Sequence, residues 1–119
     1  MLRELVEEKG YLLADGATGT NLFSMGLESG HAPELWNLEQ PDKVLSNHKD
    51  FIKAGSDIIL TNTFGANRSR LALHKAENAV AELIYEGAAI AKKAAIKVTR
   101  NVLVAGSVGP TGELMEPYG

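Results

Sequence analysis

Three short loops of small and polar residues hold the side chains in this sequence that are best suited to bind a ligand. The loops span residues 15–20, 62–67 and 107–112 and read DGATGT, NTFGAN and SVGPTG. Small residues let a ligand approach the backbone closely, and backbone N–H groups bind carboxylates. Asp15 adds a carboxylate that can pair with an ammonium group. This combination suits an amino acid zwitterion.

Each of these features also has a purely structural explanation, and the residues alone leave both explanations open. Glycine-rich loops make tight turns, Asp15 can cap the turn that follows it, and Phe64 can belong to the core. The second and third loops lack the G-x-G-x-x-G spacing of a dinucleotide site, and no P-loop lysine occurs. No serine lies in a G-x-S-x-G elbow. The residues by themselves therefore predict an α/β protein with a polar loop face that binds a small polar metabolite.

The chain contains no cysteine and three histidines, which are His31, His48 and His74. Because it has no cysteine, the 119-residue sequence supplies no disulfide, no thiolate nucleophile and no cysteine metal site. The histidines are not spaced as in a compact metal motif. We expect all three to be ordinary surface or half-buried residues.

Composition and charge narrow the class of protein. The 119 residues have the length of one small domain, and 45% hydrophobic with 23% charged residues is typical of a soluble globular protein. The net charge of −3 gives no reason to expect nucleic acid or an anionic membrane as a partner. No apolar run approaches the roughly 18 residues of a membrane span, and the first residues lack the pattern of a signal peptide. We predict a cytoplasmic location.

The three loops each follow an apolar run that predicts a β-strand. These strands are expected near residues 11–14, 56–61 and 101–105. Apolar spacing predicts helices over residues 2–9, 41–54, 68–74 and 77–97, one helical turn at 21–25, and an irregular segment at 26–40.

Two of these helices have a recognisable packed face. In the 41–54 helix this face comprises Val44, Leu45, His48, Phe51 and Ile52. In the last helix the candidates are Ala79, Val80, Leu83, Ile84, Ala88 and Ile90.

The alternation of strands and helices predicts parallel pairing with right-handed crossovers. Near-continuous apolar strands fit a sheet that is covered on both faces. Two architectures share this beginning, the doubly wound sheet and the (β/α)₈ barrel, and the pattern does not separate them. In both, ligands bind at the carboxyl ends of the strands, so the three loops should surround one pocket.

Five strings in a fixed order carry a specific resemblance. They are LADGATGT at 13–20, PE and WN within 33–37, PD at 41–42, AGSDIILTNTFGA at 54–66 and AGSVGPTG at 105–112. Together they resemble the N-terminal part of the homocysteine S-methyltransferase family. That family includes betaine–homocysteine methyltransferases and the homocysteine domain of cobalamin-dependent methionine synthase. The resemblance covers nearly the whole chain from Tyr11 onward.

The resemblance implies an α/β fold that is the N-terminal portion of a TIM (β/α)₈ barrel, with about three β/α units of parallel strands and residues 1–119 as a partial homocysteine-binding domain. It implies methyl transfer to the homocysteine thiolate to give methionine, within methionine biosynthesis. The partners implied are homocysteine and a small methyl donor, either betaine or a methylated folate, with S-methylmethionine also open. The implied substrate contacts are Asp15, Gly16, Ala17, Thr20, Asn62, Thr63 and Phe64.

The family's zinc site is not carried over to any position of this chain. In the family, three cysteines on later strands hold the zinc, which lowers the pKa of the homocysteine thiol; this chain has none. Animal betaine enzymes also have an aromatic residue directly after the phenylalanine of the second loop, where this chain has Gly65.

Three strands do not close an eight-stranded barrel, and the last strand would present an open edge. We therefore interpret the chain as a fragment that lacks methyltransferase activity alone and is prone to self-association. Two alternatives remain at this stage. One is a non-catalytic binding or assembly module, and the other is a different α/β enzyme that binds a phosphate with the same loop face.

Overall fold

The computed structural model describes residues 1–116 as a mixed α/β fold with parallel strands. In chain order the elements are α1 (Leu2–Lys9), α2 (Gly19–Ser24), α3 (Trp36–Glu39), α4 (Pro41–Ala54), β1 (Ile58–Leu60), α5 (Arg68–Ala72), α6 (Val80–Ala95) and β2 (Leu103–Ala105). Single turns of 3₁₀ helix at Pro33–Leu35 and Glu77–Ala79 precede α3 and α6.

β1 has a parallel neighbour on each side. It pairs in parallel with β2, with Ile58 opposite Leu103 and Leu60 opposite Ala105. On its other side, Ala14 forms an isolated parallel bridge with Ile58. The carboxyl ends of all three segments therefore point to the same end of the sheet, as expected for parallel strands joined by helices.

The segment at 11–14, predicted as a strand, forms only that single bridge. The reason is that the Asp57 side chain, rather than a backbone carbonyl of a neighbouring strand, accepts one of the hydrogen bonds that this segment donates. Its carboxylate accepts a hydrogen bond from the N–H of Leu13 at 3.0 Å, so this N–H does not reach a strand carbonyl. Lys9, which hydrogen-bonds to the same carboxylate, and the Leu13 N–H hold the pKa of Asp57 below its ordinary value. Arg100 lies 3.6 Å from the carboxylate, which thus connects α1, the first segment and the chain just before β2.

Helices α1 and α4 begin and end as the sequence predicts. Pro41 opens α4 because its missing N–H is not needed in the first helical turn. Gly10 and Gly55 end the two helices in the left-handed conformation, with φ of 84° and 115°.

Three sequence predictions about helices were wrong. Residues 26–40 are not irregular throughout, because burial of Trp36 and Asn37 stabilises the 3₁₀ turn and α3. The last helix is shorter than 77–97. Its packed face is also rotated from the predicted one: Leu83 and Ile90 are buried, but Ile84 and Ala88 are exposed, and the remaining buried positions are Gly87, Ala91, Ala94 and Ala95.

The core consists of two adjoining clusters that hold the helices against the sheet. One is formed by Leu22, Leu27, Trp36, Val44 and Ile90, and the other by Ile52, Ile59, Ala91 and Ala94. Both clusters take residues from α4 and α6, so these two helices fix the position of β1.

His48 is not a surface or half-buried residue as predicted, because its side chain lies inside this packed layer. It is 1% exposed, and neither ring nitrogen has a hydrogen-bond partner within residues 1–116. Burial lowers the pKa of its imidazole to about 4.

Within the part of the chain that the structure describes, no helix is long and apolar enough to cross a membrane.

Candidate functional site

A cavity of about 470 Å³ opens at the carboxyl end of β1. All three strand-end loops reach it, as the sequence predicts, and so does the 3₁₀ turn before α3. Its lining residues are Asp15, Gly16, Thr18, Gly19, Pro33, Glu34, Leu60, Thr61, Asn62, Thr63, Phe64 and Ser107.

Asp15 is held at the edge of this cavity by the neighbouring strand. Its backbone N–H donates to the carbonyl of Ile58 at 2.9 Å, and its Oδ2 accepts from the N–H of Leu60 at 3.0 Å. Partial burial raises the pKa of the Asp15 carboxyl, while the hydrogen bond from Leu60 acts in the opposite direction. No basic side chain among residues 1–116 pairs with this partly buried carboxylate, so it can gain from a cation that a ligand brings.

Asn62 lies on the cavity wall, but its side-chain amide forms hydrogen bonds within the protein that hold the second loop in place. Its Nδ2 donates to the carbonyl of Pro33 at 2.9 Å and to Oδ1 of Asn37 at 3.0 Å. The Nδ2 of Asn37 donates in return to the carbonyl of Asn62 at 2.9 Å and to that of Leu83 at 3.0 Å. This buried amide pair thus ties the second loop to the 3₁₀ turn and to α6.

The close approach of α6 to this amide pair depends on Gly87. A Cβ at this position would lie 2.7 Å from Cγ2 of Thr63 and 2.8 Å from Nδ2 of Asn37. Glycine therefore allows the helix to contact the loop directly.

A second polar network joins the loops after β1 and β2. Thr63 Oγ1 donates to the carbonyl of Ser107 at 2.8 Å, so the 2.7 Å contact between the two threonine hydroxyls is donated by Thr61. Thr61 Oγ1 in turn accepts from the N–H of Ser107 at 3.1 Å. Each hydroxyl hydrogen is used once, and the two loops are held in register.

Phe64 projects from the second loop with 53% of its surface exposed. Its ring rests on Gly109, where a Cβ would lie 3.0 Å from two ring carbons and 2.3 Å from the Phe64 carbonyl oxygen. The third loop thus supports an aromatic face at the mouth of the cavity.

Glu34 is a charged residue of the cavity wall that was not among the predicted contacts. It is 7% exposed, and its carboxylate fills the space beside Gly65, where a Cβ would lie 2.8 Å from Oε1. Within residues 1–116 the carboxylate makes no hydrogen bond and no ion pair. The sequence feature that could have identified Glu34 is its position directly after Pro33 in one of the five family strings.

Five of the predicted contacts lie on the cavity: Asp15, Gly16, Asn62, Thr63 and Phe64. Ala17 and Thr20 are exposed and do not line it. Thr18 and Gly19 reach the cavity from the same loop instead.

The residues of this site do not fit a zinc ion. Across positions 1–116, no three histidine, aspartate or glutamate side chains are grouped so that they could hold a metal, and the chain has no cysteine.

Comparison with known proteins identifies the family. The family model described as homocysteine S-methyltransferase matches residues 12–119. The chain belongs to the homocysteine S-methyltransferase family. The resemblance inferred from the five strings is thereby confirmed.

Curated members of the family are longer than this chain. Methionine synthase from Mycobacterium tuberculosis is 33% identical over 114 residues, which cover 87% of this chain and 9% of that protein. Homocysteine S-methyltransferase from Escherichia coli is 32% identical over 122 aligned positions, which cover 93% of this chain and 39% of that protein. The chain thus spans well under half the length of either relative.

The fold is also similar to a solved member of the homocysteine S-methyltransferase family. The crystal structure of the homocysteine methyltransferase MmuM from Escherichia coli, in its metallated form, superposes with a TM-score of 0.79 at 30% identity. The match covers 93% of this chain and 42% of that one.

Proposed function

We propose that this chain provides the homocysteine-binding part of a homocysteine S-methyltransferase. The observation that carries the proposal is the convergence of three strand-end loops on one cavity with Asp15 at its edge. Family membership supports homocysteine as the substrate, and the loop chemistry supports this mode of binding.

In this proposal the ammonium group of homocysteine pairs with Asp15, and its carboxylate binds backbone N–H groups of the loop at residues 16–18. Charge-assisted hydrogen bonds of this kind are about twice as strong as neutral ones. The thiol then extends along the cavity toward a methyl donor, for which betaine and a methylated folate are the first candidates.

The parallel sheet and the likeness to MmuM support a barrel architecture. We propose that β1, β2 and the segment bridged at Ala14 correspond to the first three strands of a (β/α)₈ barrel. The cytoplasmic location, the fragment interpretation and self-association stay predictions of the sequence.

Replacing Asp15 with asparagine is expected to weaken homocysteine binding about tenfold, because the ammonium loses its ionic partner at a partly exposed site. Asparagine keeps the size and can still accept from Leu60. Isothermal titration calorimetry on the purified chain measures the effect. Asp42→Asn, on the exposed start of α4, is the matched control and should bind like the unaltered chain. Equal affinity of Asp15→Asn and the unaltered chain would remove Asp15 from the site.

We expect this chain to bind homocysteine but not to catalyse methyl transfer. The family's zinc chemistry needs thiolate ligands, and these residues supply none. The purified chain, given homocysteine with betaine or with methyltetrahydrofolate, should therefore form no methionine, whether zinc is added or removed. Zinc-dependent methionine formation, detected by mass spectrometry, would contradict this expectation.

A further inference from the structure

The outer face of α6 carries large apolar side chains that residues 1–116 leave exposed. Tyr85 and Ile96 are each 72% exposed. At 3.6 residues per turn, positions 85, 89, 92 and 96 form one row along the helix, on the side away from the buried Leu83 and Ile90. Ala89, in the middle of this row, is small enough to let another helix approach closely. An exposed apolar row that is bordered by charges is the pattern of a protein–protein contact.

A row of charged side chains runs beside the apolar row, and its two halves have opposite signs. Glu82 and Glu86 lie in the first half of α6, whereas Lys93 lies in its last turn and Lys97 just after it. Spacings of four, seven and four residues keep all four side chains on one side of the helix. Among residues 1–116 none of the four forms an ion pair, since the helical rise separates Glu86 from Lys93 by about 10 Å.

The basic half of this row is crowded with like charges. The ammonium groups of Lys49, on α4, and of Lys93 lower the pKa of Lys97. In the acidic half, Glu82 and Glu86 are four residues apart, a spacing at which like charges repel. Each half would therefore gain from side chains of the opposite sign on a partner.

We propose that the outer face of α6 is a docking surface for a second copy of this chain, with the two α6 helices packed antiparallel about a two-fold axis. When the helices cross midway between positions 89 and 90, Glu86 lies opposite Lys93 of the second copy, and Glu82 lies opposite Lys97 of the second copy. The two-fold axis repeats each contact, so the arrangement contains four pairs of opposite charge. A parallel arrangement would instead place like charges together.

The same register also matches the apolar rows. Tyr85 lies level with the space between Lys92 and Ile96 of the second copy, where its ring covers the isoleucine and the methylene stem of the lysine. The Ala89 side chains of the two copies meet at the crossing, so the helices can pack at the short end of the usual range of about 8–10 Å between helix axes. Charge and apolar contacts thus favour one register, as a self-complementary surface requires.

The first test needs no variant. One helix face makes a small interface, so sedimentation velocity of the purified chain should show a monomer–dimer equilibrium with a dissociation constant of about 10 to 100 µM at low salt. Raising the NaCl concentration from about 0.05 to about 0.5 M should weaken the dimer roughly fivefold, because the ion pairs lie at the surface.

Charge reversal tests the register. Glu82→Lys combined with Glu86→Lys makes the whole charged row basic, and Lys93→Glu combined with Lys97→Glu in a separate chain makes it acidic. Each variant alone should remain a monomer up to about 500 µM, because all four pairs would then join like charges. An equimolar mixture of the two variants should form a heterodimer, because each of the four pairs again joins opposite charges.

Glu7→Lys combined with Glu8→Lys, at exposed positions of α1, is the matched control. It changes the net charge as much as the basic variant does and should dimerise like the unaltered chain. Circular dichroism checks that every variant is folded.

The proposal is wrong if the unaltered chain stays monomeric at every concentration and salt. A dimer that persists in both charge-reversed variants would also overturn it, and would assign the contact to another surface, such as the open edge of β2. If the unaltered chain dimerises but the mixture of variants stays monomeric, the antiparallel register is rejected.

Discussion

Replacing Asn37 with aspartate is expected to lower the free energy of unfolding by about 3 to 5 kcal/mol. The substitution keeps the shape of the side chain but removes both N–H donors. The new carboxylate oxygen would face the carbonyl oxygens of Asn62 and Leu83, which Asn37 now contacts at 2.9 and 3.0 Å. Asn37 is 2% exposed, so water does not replace the lost hydrogen bonds.

Urea denaturation followed by circular dichroism measures this loss. Asn78→Asp is the matched control, because Asn78 is exposed just before α6 and its substitution should change the stability by less than about 0.5 kcal/mol. A loss below about 1 kcal/mol for Asn37→Asp would show that the Asn37–Asn62 amide pair does not stabilise the contact of the second loop with the 3₁₀ turn and α6. Homocysteine affinity should fall with stability, since the pair also positions Asn62.

Lowering the pH from 7 to 4 is expected to remove about 3 kcal/mol of stability through His48 alone. Its pKa is about 4 in the folded chain against 6.5 for a free imidazole, so the unfolded chain binds the proton more readily. The stability is therefore fully present above pH 6.5 and is lost as the pH falls toward 4. The physical cause is burial, because a charged imidazole in this layer would have no partner among residues 1–116.

His48→Leu should flatten the stability profile between these pH values, because leucine has no proton to bind. It should also be at least as stable as the unaltered chain at pH 7, since two unpartnered ring nitrogens are removed. His74→Leu, at an exposed position, should retain the steep profile. Thermal unfolding midpoints at a series of pH values separate the variants. A profile that stays steep in His48→Leu would assign the acid sensitivity to other groups.

The parts of the fold that were predictable from the sequence depend on local signals. Pro41 and Gly55 mark the ends of α4 because each has a backbone preference that acts without tertiary contacts. The convergence of the loops was also predictable, because parallel strands place their carboxyl ends together. The positions of Asp15 and Phe64 on the cavity were predicted correctly for this reason.

Other features were not predictable because they arise from long-range contacts. Asp57 shortens the first strand by binding Leu13 from 44 positions away. The packed face of α6 depends on where Gly87 meets Asn37, which no pattern within the helix encodes. Glu34 was overlooked because a charged residue in an apparently irregular segment is expected at the surface. Its burial follows from the 3₁₀ turn and from Gly65.

The hydrogen bonds around the cavity also determine when during folding a binding site can exist. Those from Leu60 to Asp15, from Asn37 to Leu83 and from Thr63 to Ser107 span 45, 46 and 44 positions along the chain. Closing such long loops costs entropy that local helical turns do not incur, so helices can form well before these contacts. A partly folded chain can therefore be largely helical by circular dichroism and still lack the cavity. Protection of the Leu60 amide against hydrogen exchange would report that the cavity has formed, whereas helical content would not.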